Sequence, residues 1–488
     1  MSSPTQNGDV TRLRELEAES SLGGGEHLVR RQRRLGRLLP RERLETLFDP
    51  ETMVEMGRLS RVSRRFSIDR ADHAALGDGV LCALGRVEGR PVAAYAHDAT
   101  VLRGAIGFGG AQKILRLTEI AKAQGIPVVA LHDSDGVRVH EGPQTLAMLG
   151  DVLARSAELS GWVPQINVIL GLCVGGAAYS AALGDVLIAN QESAYAFVTG
   201  SKVTKIVTAQ DAPLEEIGGA SMHASTTGLF HALREDDRSC IALARRVLSY
   251  LPSNAKEAPP QLSMDDPAQR KTDRIEQLIP ESDRKPYNVG PVLEEVFDRG
   301  SFLELQADFA RSVVVGLARL GGRAVAVVAS QPMHNAGCLD VDSSRKTARF
   351  VQLASAYGLP VITLADVPGF LPGKRQEQAG LLLHGAKVIA AYSACRTPLI
   401  SVVLRKSYGG ANVLSYPGDV RLALPYARVQ AMGKEAAKAV ARHMRGGEAS
   451  DTELEAELER AFGDGWDRME RMAEDGFVDR IVEPQNLR

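Results

Sequence analysis

The chain repeats itself at a nearly constant interval, and this repetition constrains its fold more than any other feature. Gly89-Arg90-Pro91-Val92 returns as Gly322-Arg323-Ala324-Val325, an offset of 233 (322 − 89). Ile126-Pro127-Val128-Val129 returns at the same offset as Leu359-Pro360-Val361-Ile362. Pro164 answers to Pro398, Gly175-Gly176 to Gly409-Gly410, and Gly184-Asp185 to Gly418-Asp419, each 234 residues later. One ancestral unit has been duplicated. Each copy orders its signals alike: a strand pair around a turn (Glu88-Gly89-Arg90 or Gly321-Gly322-Arg323), an amphipathic helix pattern, and a β-branched strand (Val128 to Leu131 or Val361 to Leu364). A Gly-bearing loop follows, then a second helix and another apolar strand (Ile166 to Leu170 or Leu399 to Leu404). Alternating strands and helices predict α/β layers.

Residues 252–286 are rich in Pro, Ser, Asp and Lys and lack apolar periodicity, which marks the break between the copies. The expected organisation is a disordered tail over 1–25 ending at Gly23-Gly24-Gly25, an N-terminal domain over 26–258, a linker over 259–286 and a C-terminal domain over 287–488.

Charge narrows the choice of partners. Lys plus Arg (58) nearly cancels Asp plus Glu (60), so no global field attracts nucleic acid or an acidic membrane, and anionic ligands must be met locally. No stretch reaches the roughly 18 uninterrupted apolar residues of a membrane helix, so no membrane insertion is expected. The polar N-terminus carries Asp9, Glu15, Glu17 and Glu19, unlike a signal or transit peptide. Five scattered cysteines without CxxC spacing fit a reduced cytoplasm. His132, His140, His223, His334 and His384 show no ligand spacing, so no metal is assigned. Trp162 and Trp466 read as packing residues. The seven arginines from Arg30 to Arg43 read as a solvated helical face, with coenzyme A phosphates or a partner subunit as the functional alternative.

The chemistry is carried by glycines. Both copies leave an apolar strand and run into a pair of them: Leu172-Cys173-Val174-Gly175-Gly176-Ala177 and Ser407-Tyr408-Gly409-Gly410-Ala411. Small residues at a strand-to-helix turn let backbone N–H groups approach a ligand oxygen, which suits an oxyanion. The alternative is close helix-strand packing, and occurrence at equivalent places in both copies favours the oxyanion. GxSxG, HExxH and GxxxxGK[ST] are all absent, which disfavours serine acyl transfer, zinc hydrolysis and Walker-type nucleotide hydrolysis. Gly104-Ala105-Ile106-Gly107-Phe108-Gly109-Gly110 reads as a loop that shapes a pocket. Backbone electrostatics are then expected to do the catalytic work.

These residues resemble a family, the β subunits of acetyl- and propionyl-CoA carboxylases. The resemblance runs from about Arg41 to Pro484, through Arg41-Glu42-Arg43-Leu44, Phe48-Asp49-Pro50, Gly77-Asp78-Gly79-Val80, Phe197-Val198-Thr199-Gly200 and Leu251-Pro252-Ser253-Asn254. The second half adds Gln331-Pro332-Met333, Ala336-Gly337-Cys338-Leu339-Asp340 and Asp366-Val367-Pro368-Gly369-Phe370-Leu371-Pro372-Gly373. The resemblance implies two tandem crotonase-like domains of the ClpP/crotonase superfamily, each a ββα-superhelix. It further implies carboxyl transfer from carboxybiotin to the α-carbon of an acyl-CoA. Biotin would arrive on a separate carrier protein, with a biotin carboxylase as further partner, and the chain would assemble as a hexamer. Gly175 and Gly176 would hold the thioester enolate oxygen, and Gly410 and Ala411 the biotin ureido oxygen. The second assignment lies one residue later than the repeat alignment. Related hydratases place a Glu after the glycines, whereas Ala177-Ala178-Tyr179 offers none, so the α-proton would go to biotin itself.

Several positions depart from the family pattern around this site. Ser-Gly-Gly-Ala-Arg becomes Ser134-Asp135-Gly136-Val137-Arg138, and Phe-Gly-Gly-Ala becomes Leu102-Arg103-Gly104-Ala105. Asn412-Val413 stands where relatives read Tyr-Asp or Tyr-Ile, and the resemblance implies that Val413 occupies the position that lines the acyl pocket in relatives. Arg103, Gly104, Ala105, Asp135, Gly136, Val137, Asn412 and Val413 are therefore the candidate substrate-binding residues. For Arg103 the competing reading is a solvated surface residue, and for Asp135 a helix cap. A decarboxylase or biosynthetic homologue acting on an unusual acyl thioester, and a non-catalytic scaffold subunit, stay open as alternatives.

Overall fold

The computed structural model describes residues 6–61, 76–415, 417–445, 450–462 and 468–488; Trp466 lies outside them. The chain divides into two compact units, Met1–Ala258 and Pro259–Arg488.

The first unit is built on one sheet whose strands are β1 (Val54–Met56), β2 (Val80–Val87), β3 (Arg90–His97), β4 (Val128–Ser134), β5 (Gln165–Val174), β6 (Val186–Asn190), β7 (Tyr195–Phe197) and β8 (Ala232–Arg234). They lie in the order β1-β2-β3-β4-β5-β6-β8, with β7 against the far half of β5. β1 to β3 are antiparallel, and the rest run parallel. Every residue of β4 is buried, as expected of a strand covered on both faces. Helices Phe108–Gln124 and Pro143–Leu159 pack on each other. Their apolar stripe, with Ile114, Leu117, Leu149 and Val152, closes a core with Val80, Val128 and Ile169. Helices Pro40–Leu47 and Asp237–Tyr250 also pack together, joined by the buried Arg43, which bridges Asp133 (3.2 Å) and Asp237 (2.9 Å).

The second unit repeats this plan strand for strand. Its sheet holds β9 (Leu303–Leu305), β10 (Val313–Leu320), β11 (Arg323–Ser330), β12 (Val361–Val367), β13 (Leu399–Tyr408), β14 (Val420–Ala423), β15 (Arg428–Gln430) and β16 (Arg480–Ile481). The order β9-β10-β11-β12-β13-β14-β16, with β15 against β13, is the same topology. Each hairpin turn is capped by an aspartate. Asp49 accepts from Glu88 N and Gly89 N, and Asp298 from Gly321 N and Gly322 N.

Two expectations need correction. Residues Gln6–Ser20, read as tail, form a helix tied down by Arg58, which donates to Glu17 O and Ser20 Oγ (both 2.7 Å). Polarity suggested disorder, but Gly24 N also donates to Thr100 Oγ1, and an added Cβ there would lie 1.7 Å from Thr100 O. The glycine run thus marks a close chain crossing. Residues 259–286, read as linker, belong to the second unit: Leu262 N donates to Gly322 O, Thr272 N to Gln485 O, and Arg405 Nη1 to Ser282 O. Main-chain hydrogen bonds hold this segment, and these leave no trace in side-chain periodicity.

Candidate active site

The site grows out of the ends of two neighbouring strands in each unit. Ser134 at the end of β4 pairs with Cys173 near the end of β5, and Val367 pairs with Ser407 in the same way. Three residues beyond each partner stand Val137 and Gly176 in the first unit, and Phe370 and Gly410 in the second.

The main chain leaves N–H groups at these points without acceptors. Ile106 N donates to Gly136 O and Arg138 N to Ile106 O, so the N–H of Val137 faces away from Ile106. The second unit matches it: Leu339 N donates to Gly369 O and Leu371 N to Leu339 O, which turns the N–H of Phe370 the same way. Gly176 opens helix Gly176–Ala182, and Gly410 lies in the first turn of the 3-10 helix Gly409–Leu414, where N–H groups have no intrahelical acceptor. Among the described residues no hydrogen-bond acceptor meets the N–H of Val137, Gly176, Phe370 or Gly410.

Gly175 differs from its sequence-based expectation. Its N–H already donates to Phe197 O at 3.0 Å, so it is not a second donor. Its contribution is conformational: φ 55° and ψ −115° turn the chain sharply from β5 into the helix, a geometry open only to glycine. With Gly175 removed from the donor set, Gly176-Ala177 and Gly410-Ala411 fall at one offset of 234, and the one-residue discrepancy between the pairs disappears. Phe370 was missed because its side chain advertises packing while its backbone matches Val137; the 233 offset (370 − 137) was the available signal.

A second repeated device supports the loops. Leu102, Arg103 and Gly104 have φ of 47°, 57° and 68°, and Asn335, Ala336 and Gly337 have 48°, 52° and 79°. Consecutive left-handed residues that are not glycine are strained, and such strain persists where surrounding structure enforces it. The glycine in each turn is obligatory: a Cβ would fall 2.1 Å from Asp133 O at Gly104 and 2.6 Å from Asp366 O at Gly337.

The two departures from the family pattern in the first unit meet. Arg103 Nε lies 3.2 Å from Asp135 Oδ2, and its Nη2 donates to Asp135 Oδ1 at 3.2 Å, with the Arg103 side chain 69% exposed. Asp135 therefore caps no helix; helix Pro143–Leu159 begins after Gly142. Behind them the buried Arg138 donates to Asp78 and Glu141, and Glu141 accepts from Phe108 N, fixing the loop that carries Gly136 and Val137. Ala105 is buried and donates its N–H to Leu102 O, which makes it a scaffold of the turn. In the second unit Asn412 Oδ1 accepts from Ser407 Oγ (2.7 Å) and Ser415 Oγ (2.9 Å), bracing the turn, and the half-buried Val413 follows.

Asp133 and Asp366 are equivalent buried strand-end carboxylates with different counter-ions. Burial pushes both carboxyl groups above the ordinary range, opposed by Arg43 and Arg37 at Asp133 and by Arg405 and Lys406 at Asp366. In the first unit the cation comes from helix Pro40–Leu47; in the second it comes from the neighbouring strand, Arg405 Nε lying 3.0 Å from Asp366 Oδ2. Of the basic run, Arg43 is thus structural, while Arg33 and Arg37 line a cavity of ≈ 560 Å³ with Arg238.

Tandem crotonase-like units, each offering paired backbone donors at the carboxyl ends of two parallel strands, define a carboxyltransferase of the duplicated kind. The carboxyl transferase domain model matches residues 31–488. The chain is 38% identical over 489 residues to the propionyl-CoA carboxylase carboxyltransferase subunit of Haloferax mediterranei, covering 99% of this chain and 95% of that one. It is 36% identical over 486 residues to methylmalonyl-CoA decarboxylase subunit alpha of Propionigenium modestum, with 98% and 93% covered. Among solved structures, hexameric transcarboxylase 12S with methylmalonyl-coenzyme A and methylmalonic acid bound matches at TM-score 0.94 and 36% identity, covering 100% of this chain and 94% of that one. The chain belongs to the carboxyl transferase family and is an acyl-CoA carboxyltransferase.

Proposed function

We propose that the protein moves a carboxyl group from carboxybiotin, borne on a separate carrier protein, to the α-carbon of a short acyl-CoA, working as a hexamer alongside a biotin carboxylase. The observation that carries this reading is the pair of backbone donors in each unit with no side-chain base beside the first: Ala177, Ala178 and Tyr179 follow Gly176, and Asp135 is held by Arg103. A site of this kind stabilises developing negative charge on oxygen and leaves the α-proton to an acceptor brought from outside.

In the first unit the N–H groups of Val137 and Gly176 hold the thioester oxygen as charge builds on it. Arg138 keeps Val137 in place, and the left-handed turn at Leu102-Arg103-Gly104 seats against Asp133 O. Arg103 and Asp135, ion-paired beside Gly104 and Gly136, contact the acyl-CoA from the same loops. In the second unit the N–H groups of Phe370 and Gly410, with Ala411 next, face the ureido oxygen. When bound, biotin supplies the carboxyl group and accepts the α-proton. Val413 gives the second unit an apolar surface beside that turn.

The test mixes the protein with a biotin carboxylase, a biotinylated carrier, ATP and labelled bicarbonate, and follows label into a panel of acyl-CoAs. Label in propionyl-CoA or a near neighbour is the expected result; no label with any acyl-CoA, despite an active carboxylase, overturns it. The likeness to methylmalonyl-CoA decarboxylase subunit alpha favours one second reading, the same transfer run in reverse. Carbon dioxide release from methylmalonyl-CoA on a biotinylated carrier, with no forward incorporation, would select it.

A further inference from the structure

Residues 6–25 reach further into the first unit than their polarity suggests. Gly24 N donates to Thr100 Oγ1 at 2.9 Å, and Thr100 passes the contact inward, its Oγ1 and N donating to Asp98 Oδ1 at 2.5 and 2.9 Å. Asp98 and Thr100 are both buried. Burial pushes the Asp98 carboxyl above its ordinary range, and the two hydrogen bonds from Thr100 are the strongest opposition, ahead of Arg43. Thr100 is thus the group that holds the Asp98 carboxylate, and Gly24 is bonded to the same Thr100 oxygen.

From Asp98 the contacts run on into the site. Asp98 O accepts from Val101 N, Val101 O from Gly104 N and Leu102 O from Ala105 N, so the turn fixed by Thr100 leads straight into the left-handed residues Leu102, Arg103 and Gly104. These flank Val137 in turn. Arg103 O accepts from Asp135 N (3.1 Å), Gly136 O from Ile106 N (2.7 Å) and Ile106 O from Arg138 N (3.0 Å). One row of hydrogen bonds therefore leads from Gly24 to the backbone on either side of the Val137 N–H.

The second unit latches the equivalent turn with a different part. Gln331, 233 residues after Asp98 (331 − 98), accepts at Oε1 from Val289 N and donates from Nε2 to Asn288 Oδ1 at 2.8 Å. Asn288 and Val289 stand just before helix Gly290–Val296, which leads into Phe297-Asp298 as Pro40–Leu47 leads into Phe48-Asp49. That latch is buried at Val289. The latch of the first unit comes from further out along the chain and is held more lightly. None of residues 8–20 is buried, and Arg58 ties them by donating to Glu17 O, Ser20 Oγ and Ser21 Oγ. A cavity of ≈ 270 Å³ lies beside it, with Ser20, Ser21 and Gly23 facing Leu81, Asp98 and Thr100. An element with polar ties and little buried apolar surface opens at low cost.

We propose that residues 6–25 form a clasp that positions Val137 through Thr100 and the left-handed turn, so that the first site is set while the clasp is docked and slackens when it lifts. This rests on the reading of the Val137 N–H as a donor to the thioester oxygen, but one arm of the test does not. That arm follows hydrogen exchange in the full chain at the amides of Val101, Gly104, Ala105 and Ile106. The amides of His334, Gly337, Cys338 and Leu339, bonded in the same pattern 233 residues later, serve as the reference. Arg58→Ala, which frees helix Gln6–Ser20, and Thr100→Val are expected to speed exchange at the first four amides about tenfold and to leave the second four unchanged. Thr100→Ser keeps both hydrogen bonds and should behave as wild type; Arg58→Ala suffices should Thr100→Val fail to fold. The second arm is turnover in the labelling assay. There kcat should fall about tenfold in Arg58→Ala and Thr100→Val, with KM for acyl-CoA within about twofold, because a displaced N–H acts in the transition state. Unchanged exchange at Val101 to Ile106 in Arg58→Ala, or equal acceleration in the second unit, overturns the clasp. Faster exchange with kcat unchanged, or with KM alone raised, overturns its tie to Val137. A chain that transfers no carboxyl group at all would still answer in the exchange arm, so the two readings fail separately.

Discussion

Gly410 has room for a side chain, whereas at Gly176 the Leu149 side chain would have to move. A Cβ on Gly176 would fall 2.3 Å from Leu149 Cδ2, so bulk there disturbs packing as well as chemistry. At Gly410 the nearest atoms lie at 3.6 Å, and its N–H makes no hydrogen bond among the described residues. Gly410→Ala keeps the donor and Gly410→Pro removes it. We expect the alanine variant to fold and turn over near the wild-type rate, and the proline variant to lose about 10²–10³-fold in kcat. Equal rates for the two in a steady-state assay would show that the donor is idle. Elsewhere in the first unit, His132 is buried with its Nε2 2.8 Å from Asn167 Oδ1, its ring centroid 5.3 Å from that of His97. Burial lowers the His132 pKa from 6.5 to about 4, against the hydrogen bond to Asn167, and takes that of His97 well below its ordinary value. The unfolded chain therefore binds protons that the folded chain refuses. Stability is full above pH 6.5 and falls as pH drops toward 4, by about 3 kcal/mol for His132 at the limit. Tm between pH 7.5 and 5 should fall less steeply for His132→Gln than for the wild type.

At the scale of elements, the turn that carries Val137 depends on charges buried beneath it. Arg138 joins Asp78, which also accepts from Gly110 N, to Glu141, so one guanidinium locks β2, helix Phe108–Gln124 and the loop after β4. Removing it leaves two carboxylates buried without their cation. Arg138→Met should destabilise the fold by about 3–5 kcal/mol in denaturant unfolding. In the fraction that stays folded, kcat should fall more than KM for acyl-CoA rises, because the displaced N–H acts in the transition state. A KM effect alone would assign Arg138 to substrate binding instead. Equivalent lysines do similar work in both units: the buried Lys346 donates from Nζ to Gln306 O and Phe309 O, and the half-buried Lys113 from Nζ to Gly77 O and Val80 O. They stand 233 residues apart, so the duplication preserved scaffolding as well as donors.

For the whole molecule, the hexamer reading makes a simple prediction. Light scattering should return about 314 kDa, six times 52.4 kDa, and a mass of one or two copies would refute it. The duplication, the α/β layering and the glycine turns were legible in the amino-acid order, because each is local: a strand needs buried β-branched residues and a tight turn needs glycine, wherever the chain lies. Three things were not. The helix Gln6–Ser20 and the packed segment 259–286 are held by hydrogen bonds to residues distant in sequence. Which N–H groups are unpaired became visible only once partners were known, since nothing local reveals that Phe197 O occupies the N–H of Gly175 while that of Phe370 meets no acceptor among the described residues. The meeting of Arg103 with Asp135, and of Gly24 with Thr100, likewise required segments far apart in the chain to be brought together. Composition and spacing by themselves thus determined which backbone shapes occur, whereas the tertiary fold decided which N–H groups stay unpaired and which charges share a pocket, because pairing depends on neighbours in space.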